Sequence, residues 1–435
     1  MRQVLKIIFS LLSVTYISTA YAEQFVSVAD LHFDPFTSCT SKPCPFIDQL
    51  RQAPVNQWPS LFAANVTDVP KAGQDANYVL LESTLAELKR VEGSPQFVLM
   101  LGDMLAHYFP EKYAKYSSDK SGESYQAFVK KVMEFLVGEI NKTYPTVDVY
   151  PVVGNNDTYG EDNSSDVKGI FFQEIAPVWS SLIKDKTVQS SMQNQFSVGG
   201  YYVVSIPGQP DLQLIVLNSI LFTKKGRGKN IFEAADNELD WLHETLKNIA
   251  AHHQHAMIAL HVPVGVDVFA TLRSGTIVEP YRSGNEKIFL QIVEEFSDSI
   301  IGIFPSHFHQ DWFQIMPLKN PIIVSATPSI SPYFGNNPAF KVYDYSKQTL
   351  QLENFVVYFD SLKSQQWDLE YNFKMISAGK NTLLENMQQL QETGDFAERY
   401  QTYYSVSTAS IAKYWRYYWC DVHAVTAEAY QVCLQ

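Results

Sequence analysis

Short β-rich runs alternate with helix-like stretches from residue 23 to about residue 362, and this alternation constrains the fold more than any other feature of the sequence. Eight runs rich in Val, Ile, Phe and Tyr are strand candidates: 25–29, 97–101, 147–153, 201–206, 212–218, 256–260, 300–304 and 321–325. Four helix-like segments lie among them: 78–92, 124–142, 233–252 and 285–296. Strands and helices in alternation predict a layered α/β fold.

The last quarter of the chain has a different composition. Runs at 341–346 and 353–358 predict a strand pair that closes the sheet system, and the sequence after residue 362 is helical in pattern and rich in Tyr and Trp. Rings at helical spacing usually pack in a core. We therefore predict an α/β domain over 23–362 and a small helical subdomain over 363–435. A peripheral contact of the ring-rich segment with a membrane stays open as the alternative.

The first 22 residues have the layout of a secretory signal peptide. Arg2 and Lys6 precede an apolar run, and Ala20 and Ala22 form a small-x-small cleavage site. The apolar run is shorter than the roughly 20 residues that a membrane span needs, so we predict a cleaved leader rather than an anchor. The mature protein is then secreted or periplasmic, or lysosomal or extracellular in a eukaryote.

Export also bears on the four cysteines, because an oxidising compartment favours disulfides over free thiols. Cys39 is close to Cys44 in sequence, and Cys420 is close to Cys433. Four cysteines allow three pairings, of which two local bridges are the simplest. A zinc site built from these thiols is a weaker alternative, because neither pair has the two-residue spacing of a zinc knuckle.

The charge balance argues against one class of partner. The chain of 435 residues has 33 Lys and Arg against 46 Asp and Glu, a net charge of −13. Such a chain lacks the general attraction to a phosphate backbone that nucleic-acid-binding proteins show. We expect no binding to a nucleic-acid polymer. A small anionic substrate would have to be bound by a local positive charge, such as that of metal ions.

Five short polar motifs begin where predicted strands end. They are Asp30-Leu31-His32, Gly102-Asp103, Gly154-Asn155-Asn156-Asp157, Leu260-His261-Val262-Pro263 and Ser306-His307-Phe308-His309. Because the carboxyl ends of parallel strands share one edge of a sheet, we expect the motifs to converge there. Imidazole with carboxylate suits zinc, iron or manganese, and an aspartate such as Asp103 can bridge two ions. Gly102 and Gly154 are predicted to take positive φ at sharp turns.

The order D-x-H, G-D, G-N, H and H-x-H resembles that of the calcineurin-like metallophosphoesterase superfamily. Longer motifs at 30–35, 102–107, 307–311, 328–332 and 337–340, together with the two terminal cysteines and the aromatic tail, are similar to the acid sphingomyelinase-like phosphodiesterases. The resemblance covers essentially the whole chain after residue 22. It implies a four-layer metallophosphoesterase β-sandwich flanked by helices, with a small C-terminal helical subdomain.

The resemblance also implies a site for two divalent ions, zinc in typical members, with iron or manganese as alternatives. The first ion would have as ligands Asp30, His32, Asp103 and His309. The second would have Asp103, Asn155, His261 and His307. The implied reaction is in-line attack of a metal-bound hydroxide on phosphorus. Candidates for orienting the ligand histidines are Asp34, Asp157 and Asp311.

Two positions depart from the family pattern. Asn156 stands where the family often has a histidine that protonates the leaving oxygen; its amide cannot act as an acid but can donate a hydrogen bond to the substrate. His107, which matches a second family histidine, is the candidate general acid, with support of Asp103 as the alternative role. Ser306 replaces a glycine before H-x-H, which we expect to alter little beyond loop geometry.

These features predict a secreted two-metal phosphodiesterase. Its small phosphorylated substrate would be a nucleotide or a phospholipid head group, cleaved at a phosphoester or phosphoanhydride bond. One alternative is a phosphomonoesterase or polyphosphatase that uses the same two ions. Another is a non-catalytic phosphate- or lipid-binding protein that kept the metal site without a general acid.

Overall fold

The structure, a computed structural model, describes residues 22–377, 379 and 382–435. The predicted signal peptide, 1–22, lies outside the described residues except for its last residue. The strands of the described part are β1 Glu23–Val28, β2 Phe97–Met100, β3 Val149–Pro151, β4 Tyr202–Ile206, β5 Gln209–Val216, β6 His255–Ala259, β7 Ile300–Phe304, β8 Phe313–Met316, β9 Ile322–Ser325, β10 Ala339–Tyr345, β11 Leu352–Ser361 and β12 Gln366–Asn372. Every predicted strand overlaps one of these, and β8 and β12 are additional.

The helices cover the predicted helical segments and several of the intervening loops. In the described part they are α1 Pro45–Gln52, α2 Trp58–Asn65, α3 Tyr78–Val91, α4 Phe109–Tyr116, α5 Gly122–Thr143, α6 Phe171–Ser180, α7 Lys186–Gly199, α8 Ile231–Ala251, α9 Val268–Ser274, α10 Ser283–Glu295, α11 Phe373–Ile376, α12 Leu383–Gln388, α13 Asp395–Tyr403, α14 Trp415–His423 and α15 Ala427–Leu434. None of these described helices has the length and apolarity that a membrane span requires.

The strands form two six-stranded sheets. The first has the order β12-β11-β10-β1-β2-β3, with β1, β2 and β3 parallel and the other pairs antiparallel. The second has the order β4-β5-β6-β7-β9-β8, with β5, β6, β7 and β9 parallel. In each sheet, therefore, the parallel strands end at a common edge, which is where the polar motifs begin.

The two sheets pack face to face through aromatic rings. Phe25 of β1 meets Phe304 of β7 edge-on, with 5.3 Å between ring centroids. Tyr343 of β10 contacts the same Phe304 at 5.3 Å, and its hydroxyl lies 2.9 Å from Ser325 Oγ of β9. β2 is buried at every residue, which requires cover on both faces of its sheet.

Helices cover the outer faces of the sheets. α8 packs against β6 of the second sheet. On the first sheet, Trp367 Nε1 of β12 donates to Ser83 Oγ of α3 at 2.8 Å. The predicted α/β fold, with two sheets between flanking helices, is confirmed.

The C-terminal segment begins with a strand rather than a helix. β12 pairs with β11, so the sheet continues to Asn372, beyond the predicted boundary at residue 362. Of the helices that follow, α11 and α12 contact β11 of the first sheet, and α14 contacts β8 of the second. Trp415, Tyr418 and Trp419 of α14 are buried. The ring-rich segment therefore packs against the α/β body.

Both predicted disulfides are confirmed. Cys39 is bonded to Cys44, and Cys420 is bonded to Cys433. The second bridge joins α14 to α15. Since all four cysteines of the sequence are paired, the alternative of a zinc site built from their thiols is wrong.

Candidate metal centre

The structure brings all seven predicted ligand side chains together. They come from the carboxyl ends of five strands: Asp30 and His32 after β1, Asp103 after β2, Asn155 after β3, His261 after β6, and His307 and His309 after β7. The first sheet thus supplies four of them and the second sheet three. The face-to-face packing of the sheets, with parallel strands ending toward the same edge, closes the cluster.

One group of ligand atoms surrounds the Nε2 atom of His32. This nitrogen lies 3.2 Å from His309 Nε2 and 3.3 Å from Asp103 Oδ2. Asp30 Oδ1 lies 3.5 Å from His309 Nε2. All four side chains are buried. This arrangement corresponds to the ligand set expected for the first ion.

A second group surrounds the Nε2 atom of His261. This nitrogen lies 2.9 Å from Asn155 Oδ1 and 3.4 Å from Asp103 Oδ2. His307 joins them, since ligand atoms of Asp103, His261 and His307 lie within 4.8 Å of one another. Asp103 Oδ2 therefore stands between the two groups, where a bridging carboxylate oxygen would stand.

The backbone at the ligands is unusual. Five non-glycine ligands have left-handed φ: Asp30 at 51°, His32 at 43°, Asp103 at 54°, His307 at 74° and His309 at 62°. Such residues persist only where the surrounding structure holds them, and they cluster at functional sites.

The two glycines of the site serve different purposes. Gly102 has φ of 92°, as predicted. The prediction of positive φ for Gly154 is wrong. A Cβ on Gly154 would lie 2.1 Å from Asp103 N and 2.2 Å from Asp103 Oδ1, so glycine is required by the close approach of Asp103.

Backbone carbonyls orient two of the ligand histidines. His32 Nδ1 lies 3.0 Å from Leu105 O, and His261 Nδ1 lies 2.8 Å from Leu101 O. A proton on each Nδ1 leaves the Nε2 lone pair free for an ion. Ser306 Oγ donates to the same Leu101 O at 2.7 Å and lies 2.9 Å from His261 Nδ1, so this replacement contributes to the site as well as to the loop.

The prediction that three aspartates orient the ligand histidines is wrong. Asp157 accepts hydrogen bonds from the amides of Met104, Leu105 and Gly154; Asp34 accepts from Phe36 N and Lys112 Nζ; and Asp311 pairs with Lys341 and Tyr371. These carboxylates accept from loop amides or pair with the buried Lys341 and the partly buried Lys112 instead. The carbonyls at the strand ends already satisfy the Nδ1 protons of His32 and His261.

Burial sets the protonation of most of the ligands. It lowers the pKa of His32 to about 4 and that of His307 to about 3, and it holds the pKa of His309 well below its usual value. These imidazoles are therefore neutral at pH 7. Burial also lowers the pKa of His261, but the adjacent Asp103 carboxylate outweighs it and raises this pKa to about 9.

The residues fit two divalent cations. Asp30 Oδ1 is buried and has no hydrogen-bond partner in the described part of the chain, although it faces His309. Buried oxygens and nitrogen lone pairs that converge without a matching donor are costly unless a cation satisfies them. Nitrogen and oxygen ligands together suit zinc, iron or manganese.

Asn156 donates two hydrogen bonds to Asp103. Its backbone N donates to Asp103 Oδ1 at 2.8 Å, and its Nδ2 donates to Asp103 Oδ2 at 2.8 Å. A side-chain amide has two protons to donate. One of them is taken by Asp103, and the other is available to a substrate.

His107 lies against the first group of ligands. Its ring stacks between those of His32 and Tyr333, at centroid distances of 3.8 Å and 4.0 Å. Its Nδ1 lies 2.7 Å from Asp75 Oδ1. Asp75 was missed by the sequence analysis, because it lies in the polar loop before α3 and belongs to no motif.

A cavity of about 170 Å³ opens beside the cluster. Its lining includes His107 and Asn156, and also Tyr108, Glu161 and Arg227. Both predicted catalytic side chains therefore face one space in which a small substrate could lie.

Comparisons with known proteins agree with the motif pattern. The chain is 24% identical over 446 residues to Acid sphingomyelinase-like phosphodiesterase 3b of Homo sapiens, covering 94% of this chain and 90% of that protein. It is 26% identical over 436 residues to Cyclic GMP-AMP phosphodiesterase SMPDL3A of Mus musculus, covering 94% and 88%. It is also similar to the solved structure of a dimetal phosphatase from Danio rerio, with a TM-score of 0.44 and 12% identity over 78% of this chain and 96% of that one. No family model matches the chain.

Proposed function

The chain is a homologue of the acid sphingomyelinase-like phosphodiesterases, and from this premise we propose that it is a secreted two-metal phosphodiesterase. The resemblance to this family that the motifs indicated is confirmed. The predicted enzyme class, a metal-dependent phosphoester hydrolase, is confirmed as well. The observation that carries the proposal is the position of Asp103 Oδ2, 3.3 Å from His32 Nε2 and 3.4 Å from His261 Nε2. One carboxylate between two sets of imidazoles is the arrangement that a two-ion site needs.

Each ion would take ligands from both sheets. The first would be held by Asp30, His32, Asp103 and His309, and the second by Asp103, Asn155, His261 and His307. Zinc is the proposed metal, because each set joins two imidazole nitrogens to two oxygen ligands, a mixture that zinc accepts. Bound there, two such ions neutralise charge on the phosphoryl oxygens and lower the pKa of water.

His107 is proposed as the general acid rather than as a ligand. The alternative is a ligand role, since ligand atoms of His32, His107 and His309 lie within 4.8 Å of one another. The stacking argues against it. Lone pairs lie in the ring planes, and two stacked rings with centroids 3.8 Å apart and planes inclined by 18° cannot both direct a nitrogen to one ion at about 2 Å. His107 Nε2 then remains available to protonate the leaving oxygen.

Asn156 is proposed to have two tasks. Through its bonds to Asp103 it holds the bridging carboxylate in one orientation. Its second amide proton donates to a substrate oxygen in the cavity that it lines. Neither task requires it to release a proton, which an amide cannot do.

Two further aspects are proposed together with the activity. The two disulfides favour an oxidising compartment, which supports secretion. The substrate is proposed to be a nucleotide or a phospholipid head group, since the two relatives are named for a sphingomyelinase-like activity and for hydrolysis of cyclic GMP-AMP. The small cavity beside the cluster supports a small phosphorylated group in either case.

Turnover of bis(p-nitrophenyl) phosphate with and without a chelator tests the proposal. We expect activity to vanish when the metal is removed and to return with zinc. Full activity of protein shown by elemental analysis to be metal-free would contradict it. A panel of cyclic GMP-AMP, sphingomyelin, ATP, AMP and polyphosphate then identifies the substrate. Preference for AMP or polyphosphate over every diester would favour the monoesterase or polyphosphatase instead.

A further inference from the structure

A buried carboxylate, that of Asp75, holds the Nδ1 edge of the His107 ring. The side chain of Asp75 is completely buried. Its Oδ1 accepts from His107 Nδ1 at 2.7 Å and from Ser331 Oγ at 3.3 Å, and its Oδ2 accepts from His107 N at 3.1 Å. One carboxylate thus holds both the ring and the main chain of His107, which leaves the imidazole little freedom to rotate.

Lys112 of α4 holds Asp75 in turn. Its Nζ donates to Asp75 Oδ2 at 2.9 Å and to Asp34 Oδ2 at 2.8 Å. Asp34 is itself fixed by Phe36 N, which donates to its Oδ1 at 2.8 Å. Charge-assisted bonds of this kind are stronger than neutral ones. The result is a continuous chain of contacts from His107 through Asp75 and Lys112 to the loop after β1.

We propose that Asp75 is a positioning residue that holds His107 in the Nδ1–H tautomer, so that Nε2 is the ring nitrogen presented to the substrate. This inference rests on the proposed function, because it assumes that His107 Nε2 protonates the leaving oxygen. With Nδ1–H donated to Asp75, the protonated ring carries its second proton on Nε2, and transfer of that proton to the leaving oxygen leaves the neutral Nδ1–H tautomer. Lys112 acts indirectly, because its bond to Asp75 keeps that carboxylate in place.

The alternative is a purely structural role, and matched variants separate the two. Asp75→Ala removes the acceptor of Nδ1–H, and Lys112→Met removes the cation that holds Asp75. Asp148→Ala is the control. Asp148 is also buried, and it accepts from Lys184 N at 2.6 Å and from Tyr150 OH at 3.3 Å. It precedes β3, at the end of the strand opposite to the metal ligands.

The first measurement is kcat/KM of the zinc-loaded enzyme on methyl p-nitrophenyl phosphate and methyl phenyl phosphate. General acid catalysis contributes roughly 10²–10⁴-fold and matters most for a poor leaving group such as phenol. We expect Asp75→Ala to lose about 10- to 100-fold more activity on the phenyl ester. Lys112→Met should lose less activity than Asp75→Ala, but again more on the phenyl ester than on the p-nitrophenyl ester. Asp148→Ala should change kcat/KM by the same factor on both esters. Equal losses in Asp75→Ala would overturn the inference.

The second measurement does not depend on turnover. The ¹⁵N spectrum of the imidazoles in metal-free protein shows which nitrogen of His107 carries the proton. We expect the Nδ1–H tautomer in the wild type and in Asp148→Ala, and its loss in Asp75→Ala. An unchanged tautomer in Asp75→Ala overturns the inference. If that variant does not fold, an unchanged tautomer together with an unchanged ester preference in Lys112→Met overturns it.

The two hypotheses fail in different ways. If the wild type shows no metal-dependent turnover of any diester, the proposed function fails while the tautomer still reports on Asp75. If the wild type is active and both esters respond equally to Asp75→Ala, only the role of Asp75 fails.

Discussion

At the scale of single residues, the centre is built from side chains held at backbone angles that they would otherwise avoid. Asp30, His32, Asp103, His307 and His309 all have left-handed φ. Each such position costs on the order of 1–3 kcal/mol and is maintained by its surroundings. The strain places ligand atoms from separate loops close to each other, and it makes the ligands hard to replace individually.

Asp103 is the residue whose loss affects both ligand groups. Asp103→Ala removes the oxygen shared by His32 and His261, and we expect it to lower metal content and to reduce turnover by at least roughly 10³-fold. Elemental analysis and a diester assay on the same preparation test this, with the exposed Asp240→Ala as the control. Wild-type metal content and activity in Asp103→Ala would contradict the bridging role.

His107 should show its role through the leaving group. We expect His107→Ala to lower turnover more for methyl phenyl phosphate than for methyl p-nitrophenyl phosphate, because only the poor leaving group needs a proton. Rates on the two esters, measured at saturating zinc, test this. A role confined to supporting the ligands would reduce both rates by the same factor.

Residues of the site were predictable to the extent that they belong to a local pattern. Each ligand follows an apolar run that reads as a strand, so the motifs also indicated where they would meet. Asp75 and the hydrogen bonds of Ser306 depend on contacts between segments far apart in sequence, and no local pattern reports such contacts. The error at Gly154 has the same origin, because the constraint there comes from Asp103 and not from the turn.

At the scale of elements, the loops after the strands are packed so closely that one methyl group matters. Gly154→Ala places a Cβ 2.1 Å from Asp103 N, so we expect lower stability and lost metal binding. Gly138 lies within α5 with open space around its Cβ position, so Gly138→Ala should stabilise the protein by about 0.5–1 kcal/mol. Denaturant unfolding and metal content of the two variants test this pair. Similar effects of both substitutions would contradict the steric argument.

The central strands could be predicted from their apolar sequence pattern, whereas two edge strands, β8 and β12, could not. The central strands are continuous apolar runs, because both faces of their sheets are covered. β12, Gln366–Asn372, is an exposed edge strand with polar residues, so its sequence resembles a loop. β8, Phe313–Met316, has only four residues and directly follows a ligand loop. Such strands are recognised from their partners rather than from their own composition.

At the scale of the whole molecule, a buried acid makes stability depend on pH. Glu238 of α8 is fully buried; its Oε1 accepts from Asn218 N at 2.7 Å, and its Oε2 has no partner among the described residues. Burial raises its pKa well above the usual value. Above about pH 4.3 the unfolded chain loses this proton while the folded chain keeps it. Stability from this group therefore falls as pH rises, by up to about 1.4 kcal/mol per pH unit.

Glu238→Gln removes this penalty and keeps the acceptor for Asn218 N. We expect the variant to be more stable than the wild type at pH 8, with the difference shrinking toward pH 4. Thermal unfolding at several pH values measures it. A difference that does not change with pH would contradict the assignment of a raised pKa to Glu238.

Metal removal should also change the stability of the whole molecule. Ions that bind only the folded chain stabilise it by about 2.7 kcal/mol at a free concentration 100 times the dissociation constant. We expect a chelator to lower the unfolding temperature and zinc to restore it in the wild type. Asp103→Ala should respond little to either treatment. A wild-type unfolding temperature that is indifferent to the chelator would contradict a structural contribution of the ions.

The division of the ligands between the two sheets has a consequence for biosynthesis. Asp30, His32, Asp103 and Asn155 are made early, but each proposed ion also needs a histidine from the second sheet, and His309 is made last. A nascent chain that ends after Asn155 holds three of the four proposed ligands of the first ion and two of the four of the second, and the first sheet itself is completed only later, by β10, β11 and β12. Metal binding is then a late step of maturation, because it requires that the two sheets have already packed against each other.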